Sequence, residues 1–253
     1  MPKAAIDMTD HFSRTFPEAV YSVEMREKKA KTMLAVLSTF LKADAKILTV
    51  LDLGSSAGII ANYLAGFFGK VVGIDIDREA VAFARKTFRK NGLGFLLADA
   101  LDLPFPSDAF DVLICAHIYE HVADPRRLVD EIRRVLKPGG VCYFAADNRL
   151  TLREPHYKLL FLSLLPRSIS HIYLRLCGKG SRYEERLLTY GRLRKLVNRF
   201  FLTDFTERII QSPRLFHADY MIPDGTTKAQ VAQWVVKYAY WLCPGYVWLL
   251  RKI

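Results

Sequence analysis

The sequence has little cysteine: Cys115, Cys142, Cys177 and Cys243 are the only four in 253 residues, and no two form a Cys-x-x-Cys pair. Neither a zinc site nor a disulfide framework is indicated, so a reducing, cytoplasmic compartment is expected. Long apolar runs are also missing. The nearest, residues 157–165 and 234–242, fall short of the ~18–20 residues of a membrane span. That leaves a chain that is soluble or peripheral to the inner face of a membrane. Asp7, Asp10 and His11 interrupt any apolar signal-peptide core. No Gly-Lys-Ser/Thr follows a glycine turn, which excludes a phosphate-binding P-loop. Internal repeats and low-complexity linkers are absent too.

What is present suffices for a sizeable core: 51% of residues are apolar and 25% charged. The length predicts one large domain, or a core with a substantial insert. The net charge of +11 is unevenly placed. Residues 1–147 hold 19 basic and 19 acidic side chains, whereas residues 148–253 hold 18 and 7. The second part therefore carries the whole excess.

From residue 47 to 146, apolar runs alternate with helical patterns, the mark of a doubly wound parallel sheet. Strands are expected at 47–53, 70–75, 93–98, 110–116 and 141–146, with helices at 57–68, 78–90 and 125–136. Asp77 and Asp124 are placed as N-caps, and Lys137-Pro138-Gly139-Gly140 as a stop. Before the sheet, residues 21–42 read as one long helix with Glu24 and Lys28 spaced to pair. After it, residues 148–188 are too long for an ordinary connection and predict a helical insert. A helix at 189–200, a strand at 201–210, a helix at 227–242 and a strand at 246–252 complete the reading.

The chemistry concentrates in Val50-Leu51-Asp52-Leu53-Gly54-Ser55-Ser56-Ala57-Gly58, at the carboxyl end of the first strand. Ligands bind there in open parallel sheets. Gly73-Ile74-Asp75 ends the second strand with a carboxylate suited to two ribose hydroxyls, which points to a nucleoside cofactor. A dinucleotide fingerprint would need glycine at 54, 56 and 59, but Ser56 and Ile59 fail it. Asp52 would also repel a pyrophosphate, while it attracts the ammonium and sulfonium of S-adenosylmethionine.

With Ala98-Asp99-Ala100, Leu103-Pro104-Phe105, Phe110-Asp111-Val112, Glu120-His121-Val122 and Leu136-Lys137-Pro138-Gly139-Gly140 following in order, residues 45–147 resemble the class I S-adenosylmethionine-dependent methyltransferases. The resemblance is to the group that includes the ubiquinone and menaquinone biosynthesis methyltransferases. It implies an α/β, Rossmann-like, mostly parallel seven-stranded sheet with a helical insert after the fifth strand. It also implies an N-terminal helical cap at 1–44, a cofactor core at 45–147, an insert or lid at 148–188, and the rest of the sheet domain at 189–253. Asp52, Gly54, Ser56 and Gly58 would form the cofactor loop, and Asp75 with Ile76 would hold the ribose side. Asp99 and Ala100 would meet the adenine, and Ala116-His117 would border the methionine portion. Ser56 stands where this family usually has glycine; a turn requiring positive φ there would weaken cofactor binding.

Methyl transfer from a sulfonium is an in-line displacement that needs alignment and no metal. If the acceptor is a hydroxyl, His117 and His121 are the candidate general bases. Asn148 is the candidate for acceptor contact. Residues 149–188 carry eight basic against three acidic side chains beside the apolar run at 159–165, a pattern expected to meet anionic lipid headgroups or a lipid-linked acceptor. The expected acceptor is small and amphipathic, such as a lipid-linked saccharide or a prenylated quinone precursor. A nucleic-acid partner is not expected, since no RNA-binding module accompanies the basic part. An RNA methyltransferase and a nonenzymatic cofactor-binding protein are the alternatives.

Overall fold

The computed structural model of the protein describes residues 12–41 and 43–253; the expectations resting on Asp7, Asp10, His11 and Lys42 lie outside them. Three helices come first: α1 (Phe12–Thr15), α2 (Pro17–Tyr21) and α3 (Val23–Phe40). The core follows as β1 (Thr49–Leu53), α4 (Ile59–Leu64), β2 (Lys70–Asp75), α5 (Arg78–Thr87), β3 (Leu93–Leu97), β4 (Phe110–Ala116), α6 (Pro125–Val135) and β5 (Leu136–Asp147). The remainder is α7 (Arg167–Leu176), α8 (Tyr190–Leu196), β6 (Phe200–Asp204), α9 (Thr206–Gln211), α10 (Thr227–Tyr238) and β7 (Gly245–Lys252).

The strands form one seven-stranded sheet in the order β3-β2-β1-β4-β5-β7-β6. β7 alone runs against its neighbours. Strand order reverses between β1 and β4, so the crevice at their carboxyl ends is where a ligand would sit. Side chains alternate across the sheet because the strand period is two. Leu51 and Leu53 join Leu113, Phe144 and Trp248 on one face, while Val50, Val71, Ile114 and Leu249 pack with α3 and α4 on the other. Each such buried side chain contributes on the order of 2 kcal/mol.

Several expectations are corrected. The long N-terminal helix is present as α3, Val23–Phe40, set off from α2 by Ser22, whose ψ of 95° is extended, and Glu24 and Lys28 pair at 2.6 Å. The strand expected at 201–210 ends at Asp204, whose Oδ1 accepts from the Thr206 amide at 2.8 Å and starts α9. Lys137-Pro138-Gly139-Gly140 is an irregular opening of β5, with a register shift against β4.

The insert is a closed excursion. Asn148 pairs with Leu188 and the Arg149 amide donates to the Leu188 carbonyl at 3.0 Å, so both ends meet beside β5. Its apolar run is not a helix. Leu160 bridges back to Arg153, Phe161 takes a φ of +59°, and a single 3-10 turn, Leu162–Leu164, precedes Pro166. A run this short cannot nucleate a helix alone. The one α-helix described in the insert is α7, held by Tyr157, Leu162, Leu174 and Tyr183.

Candidate functional site

The turn after β1 is built by backbone conformations that side chains oppose. Gly54 and Gly58 have φ of +64° and +77°. A Cβ on Gly54 would overlap Ile118, and one on Gly58 would lie 2.6 Å from the Phe95 ring. Ser56 also takes a positive φ, +53°, a left-handed conformation costing ~1–2 kcal/mol for a residue with a Cβ. The strain is anchored, because the Ser56 amide donates to Asp75 Oδ2 at 2.7 Å. The other Asp75 oxygen accepts from the Asp77 amide at 2.8 Å.

Asp52 lies just before this turn and is 3% exposed. Its Oδ2 has no hydrogen-bond partner among the described residues. Burial pushes its carboxyl up to about 7, Arg26 on α3 opposes that, and Asp75 adds to it. Burial likewise raises Asp75, against the backbone donors that favour its charged form. A buried carboxylate left without a donor is costly unless a cation meets it. Asp77 caps α5 through the amides of Glu79 and Ala80, and also accepts from the Ser13 amide at 2.8 Å, which ties α1 over this end. Asp99 bonds the Leu101 amide, and Asp99, Ile76 and Ala100 line the same cavity.

Beyond β4 the second half of the site begins. His117 has a φ of +58°, with Nδ1 at 3.1 Å from Asp147 Oδ2 and 3.5 Å from Glu120 Oε1. Burial lowers its proton affinity, but the charges and hydrogen bonds of Asp147 and Glu120 outweigh it and carry the pKa up to about 10. His117 is therefore an imidazolium at neutral pH, and its ring, Glu120 and Asp147 bring one ligand atom each within 4.8 Å of one another. His121 is the opposite case. Burial first, then the charges of His156 and His117, hold it down to about 3, so it stays neutral. Neither histidine is poised near neutrality, where a general base works best.

Asn148 is corrected outright. It is fully buried, and its Nδ2 faces the Trp241 and Cys243 carbonyls, both at 2.8 Å, and the Tyr246 hydroxyl at 3.0 Å. Its amide is satisfied there and the residue stands outside the cavity wall, tying the start of the insert to β7 and the segment before it. Arg26 and Lys29 on α3 were not among the expected site residues, and Lys158 and His156 entered only as members of the insert; all four line the cavity. The spacing of Arg26, Lys29 and Met33 on one helical face was the available signal.

These groups surround one cavity of about 1550 Å³. Its β1–β3 end carries Asp52, Asp75, Asp77 and Asp99; α3 and the insert add Arg26, Lys29, Lys158 and His156; α9 and α10 add apolar walls. It brings together Asp52, Gly54, Ser56, Asp75, Ile76, Asp99, Ala100, His117 and His121. Gly58 is not in its wall but shapes the turn as the residue before α4.

Residues 51–144 match the family described as Methyltransferase domain. Over 146 residues the chain is 30% identical to the ubiquinone biosynthesis O-methyltransferase of Actinobacillus pleuropneumoniae serotype 5b (strain L20), covering 55% of this chain and 58% of that protein. The chain thus spans a little over half the length of the curated relatives it matches. The plantazolicin methyltransferase BpumL in complex with SAH superposes with a TM-score of 0.61 at 17% identity, covering 97% of this chain and 92% of that one. An S-adenosylmethionine-dependent methyltransferase from Mesorhizobium loti gives 0.57 at 18% identity, covering 87% and 98%. The chain shares its fold with these two methyltransferase structures. The matched segment, residues 51–144, runs from within β1 to within β5.

Proposed function

We propose that this chain is an S-adenosylmethionine-dependent methyltransferase acting on a small amphipathic acceptor by direct in-line transfer. The observation that carries the reading is the buried Asp52 carboxylate, with Oδ2 unpartnered, beside a left-handed turn in a cavity also lined by Asp75. The residues fit the cofactor: Asp52 would face its ammonium, Asp75 with Ile76 its ribose side, and Asp99 and Ala100 its adenine, beside Gly54 and Ser56 of the turn that Gly58 shapes. Bound there, S-adenosylmethionine supplies an electrophilic methyl carbon to the acceptor's nucleophilic atom. Asp147 and Glu120 fix the His117 imidazolium at the methionine end, and the neutral His121 faces the acceptor space as a hydrogen-bonding group. Alignment rather than base catalysis is the main contribution of these residues.

The amphipathic acceptor, a lipid-linked saccharide or prenylated quinone-type precursor, is supported by the apolar walls of α9 and α10 and by the insert. On α7, Ile169, Ile172 and Leu176 are 49%, 51% and 82% exposed at helical spacing. Arg167, Arg175, Lys179 and Arg182 stand around them. An exposed apolar stripe among cations suits peripheral contact with an anionic membrane; no helix among the described residues is long and apolar enough to cross one. Calorimetry with S-adenosylhomocysteine tests the cofactor site: Asp52→Ala and Asp75→Ala should each weaken binding at least tenfold while the protein stays folded, and unchanged affinity would refute the assignment. Vesicles containing phosphatidylglycerol should retain the protein more than phosphatidylcholine vesicles. Equal retention would count against the membrane contact.

A further inference from the structure

The cavity holds positive charge that the cofactor end does not use. Arg26 and Lys29 lie one helical turn apart on α3, and Lys158 and His156 come from the insert, all four lining the same cavity. His117 is matched by Asp147, and His156 by the fully buried Glu154, whose Oε1 lies 2.9 Å from Nδ1. Lys29 and Lys158 have no such match: neither ammonium makes an ion pair or hydrogen bond with a described residue. Burial and then the charge of Arg26 lower the proton affinity of Lys29, Asp147 pulls the other way, and Lys158 adds repulsion. Lys29 and Lys158 both line the cavity and repel one another, which leaves a positive potential there for a ligand to neutralise.

The loop that carries Lys158 is constructed rather than slack. Glu154 Oε2 accepts from the His156 and Tyr157 amides at 2.8 and 2.6 Å. The Lys158 amide closes the turn on the Glu154 carbonyl at 3.0 Å, and its own carbonyl accepts from Arg153 Nε at 2.9 Å. Lys158 itself takes a φ of +60°, a conformation uncommon for a residue with a side chain and kept only when the surroundings impose it. Away from these cations the cavity is lined by Ile209, Ile210, Ile222, Val231, Val235 and Leu242.

We propose that Lys29 and Lys158, beside the His156–Glu154 pair, form a subsite for a phosphate group of the acceptor, whose apolar remainder lies along α9 and α10. Two ammoniums without an ion-pair partner among the described residues match the charge of a phosphate monoester better than the single charge of a carboxylate. The proposal rests on the methyltransferase reading and names what its acceptor carries.

The test titrates the full-length protein, with and without saturating S-adenosylhomocysteine, with octyl phosphate, octyl glucoside and inorganic phosphate. Wild type is compared with the double variant Lys29→Met, Lys158→Gly. Methionine suits a helix, and glycine suits the left-handed Lys158 backbone; unchanged melting temperature checks the fold. The expected result is octyl phosphate binding at least tenfold tighter than octyl glucoside, with the double variant losing at least tenfold for octyl phosphate and nothing for octyl glucoside. Equal binding of the two amphiphiles, or an unchanged double variant, would overturn the subsite. Inorganic phosphate binding as tightly as octyl phosphate would overturn the apolar part and assign the site to a soluble phosphate. Failure of S-adenosylhomocysteine to bind wild type would count against the methyltransferase reading alone, because octyl phosphate is also titrated without it.

Discussion

Replacing Asp52 by asparagine keeps the shape of the side chain and removes its charge, which should move stability and cofactor affinity in opposite directions. In the ligand-free protein the Asp52 carboxyl is raised from 3.8 to about 7, by burial first, with Arg26 opposing and Asp75 adding. At ~1.4 kcal/mol per pH unit, that shift corresponds to about 4 kcal/mol against the ionised form. Its sign follows from linkage. The unfolded chain releases this proton near 3.8 and the folded one near 7, so stability is lost as pH climbs through that window. Asp52→Asn should therefore match wild type near pH 4 and exceed it by up to about 4 kcal/mol at pH 8, measured by urea denaturation. Cofactor affinity should fall at least tenfold. A cationic cofactor also forces ionisation, so at pH 6 wild type should release close to one proton on binding, read by calorimetry in buffers of different ionisation enthalpy. A stability difference that does not vary with pH, together with affinity within twofold of wild type, would refute the reasoning.

Ser56→Gly should relieve the left-handed strain and stabilise the protein by up to ~1 kcal/mol in denaturant; a loss of stability would mean that the serine side chain contributes more than its backbone costs. Asn148→Ala should destabilise by ~1–3 kcal/mol, since it leaves the buried Cys243 carbonyl without its side-chain donor, and should leave S-adenosylhomocysteine affinity unchanged. Weakened acceptor turnover at unchanged stability would instead return Asn148 to the site. The His117 pKa is raised from 6.5 to about 10 by Asp147 and Glu120 against burial. The stability advantage of wild type over His117→Gln should thus be full below pH 6.5 and shrink towards pH 10. An advantage that grows over that range would contradict the ion pair.

Much of the proposed cofactor end was legible because its parts are local. Asp52, the glycine turn and Asp75 stand at strand ends whose apolar runs are unambiguous, and the resemblance to a known family added Asp99 and Ala100. The conformation of Ser56 was framed correctly as a question of φ, but only the coordinates give its sign. The acceptor end was less legible because its parts meet only through tertiary packing. Lys29 on α3 and Lys158 in the insert are more than a hundred residues apart, and Glu154 and His156 stand out only once the loop is closed. Asn148 was misread because its position after β5 suggests exposure, whereas the return of β7 buries it. The run at 159–165, inside a stretch expected to be helical, folds as a loop with one 3-10 turn, since apolar composition without a clear period does not separate helix from buried loop.

The central claim is tested most directly by incubating the full chain with methyl-labelled S-adenosylmethionine and separated lipid, glycan, RNA and protein fractions. The account predicts that label enters an amphipathic, phosphate-bearing component of the lipid fraction, and that Asp52→Ala abolishes the transfer. Label confined to RNA or protein, or none in any fraction with the cofactor bound, would contradict it.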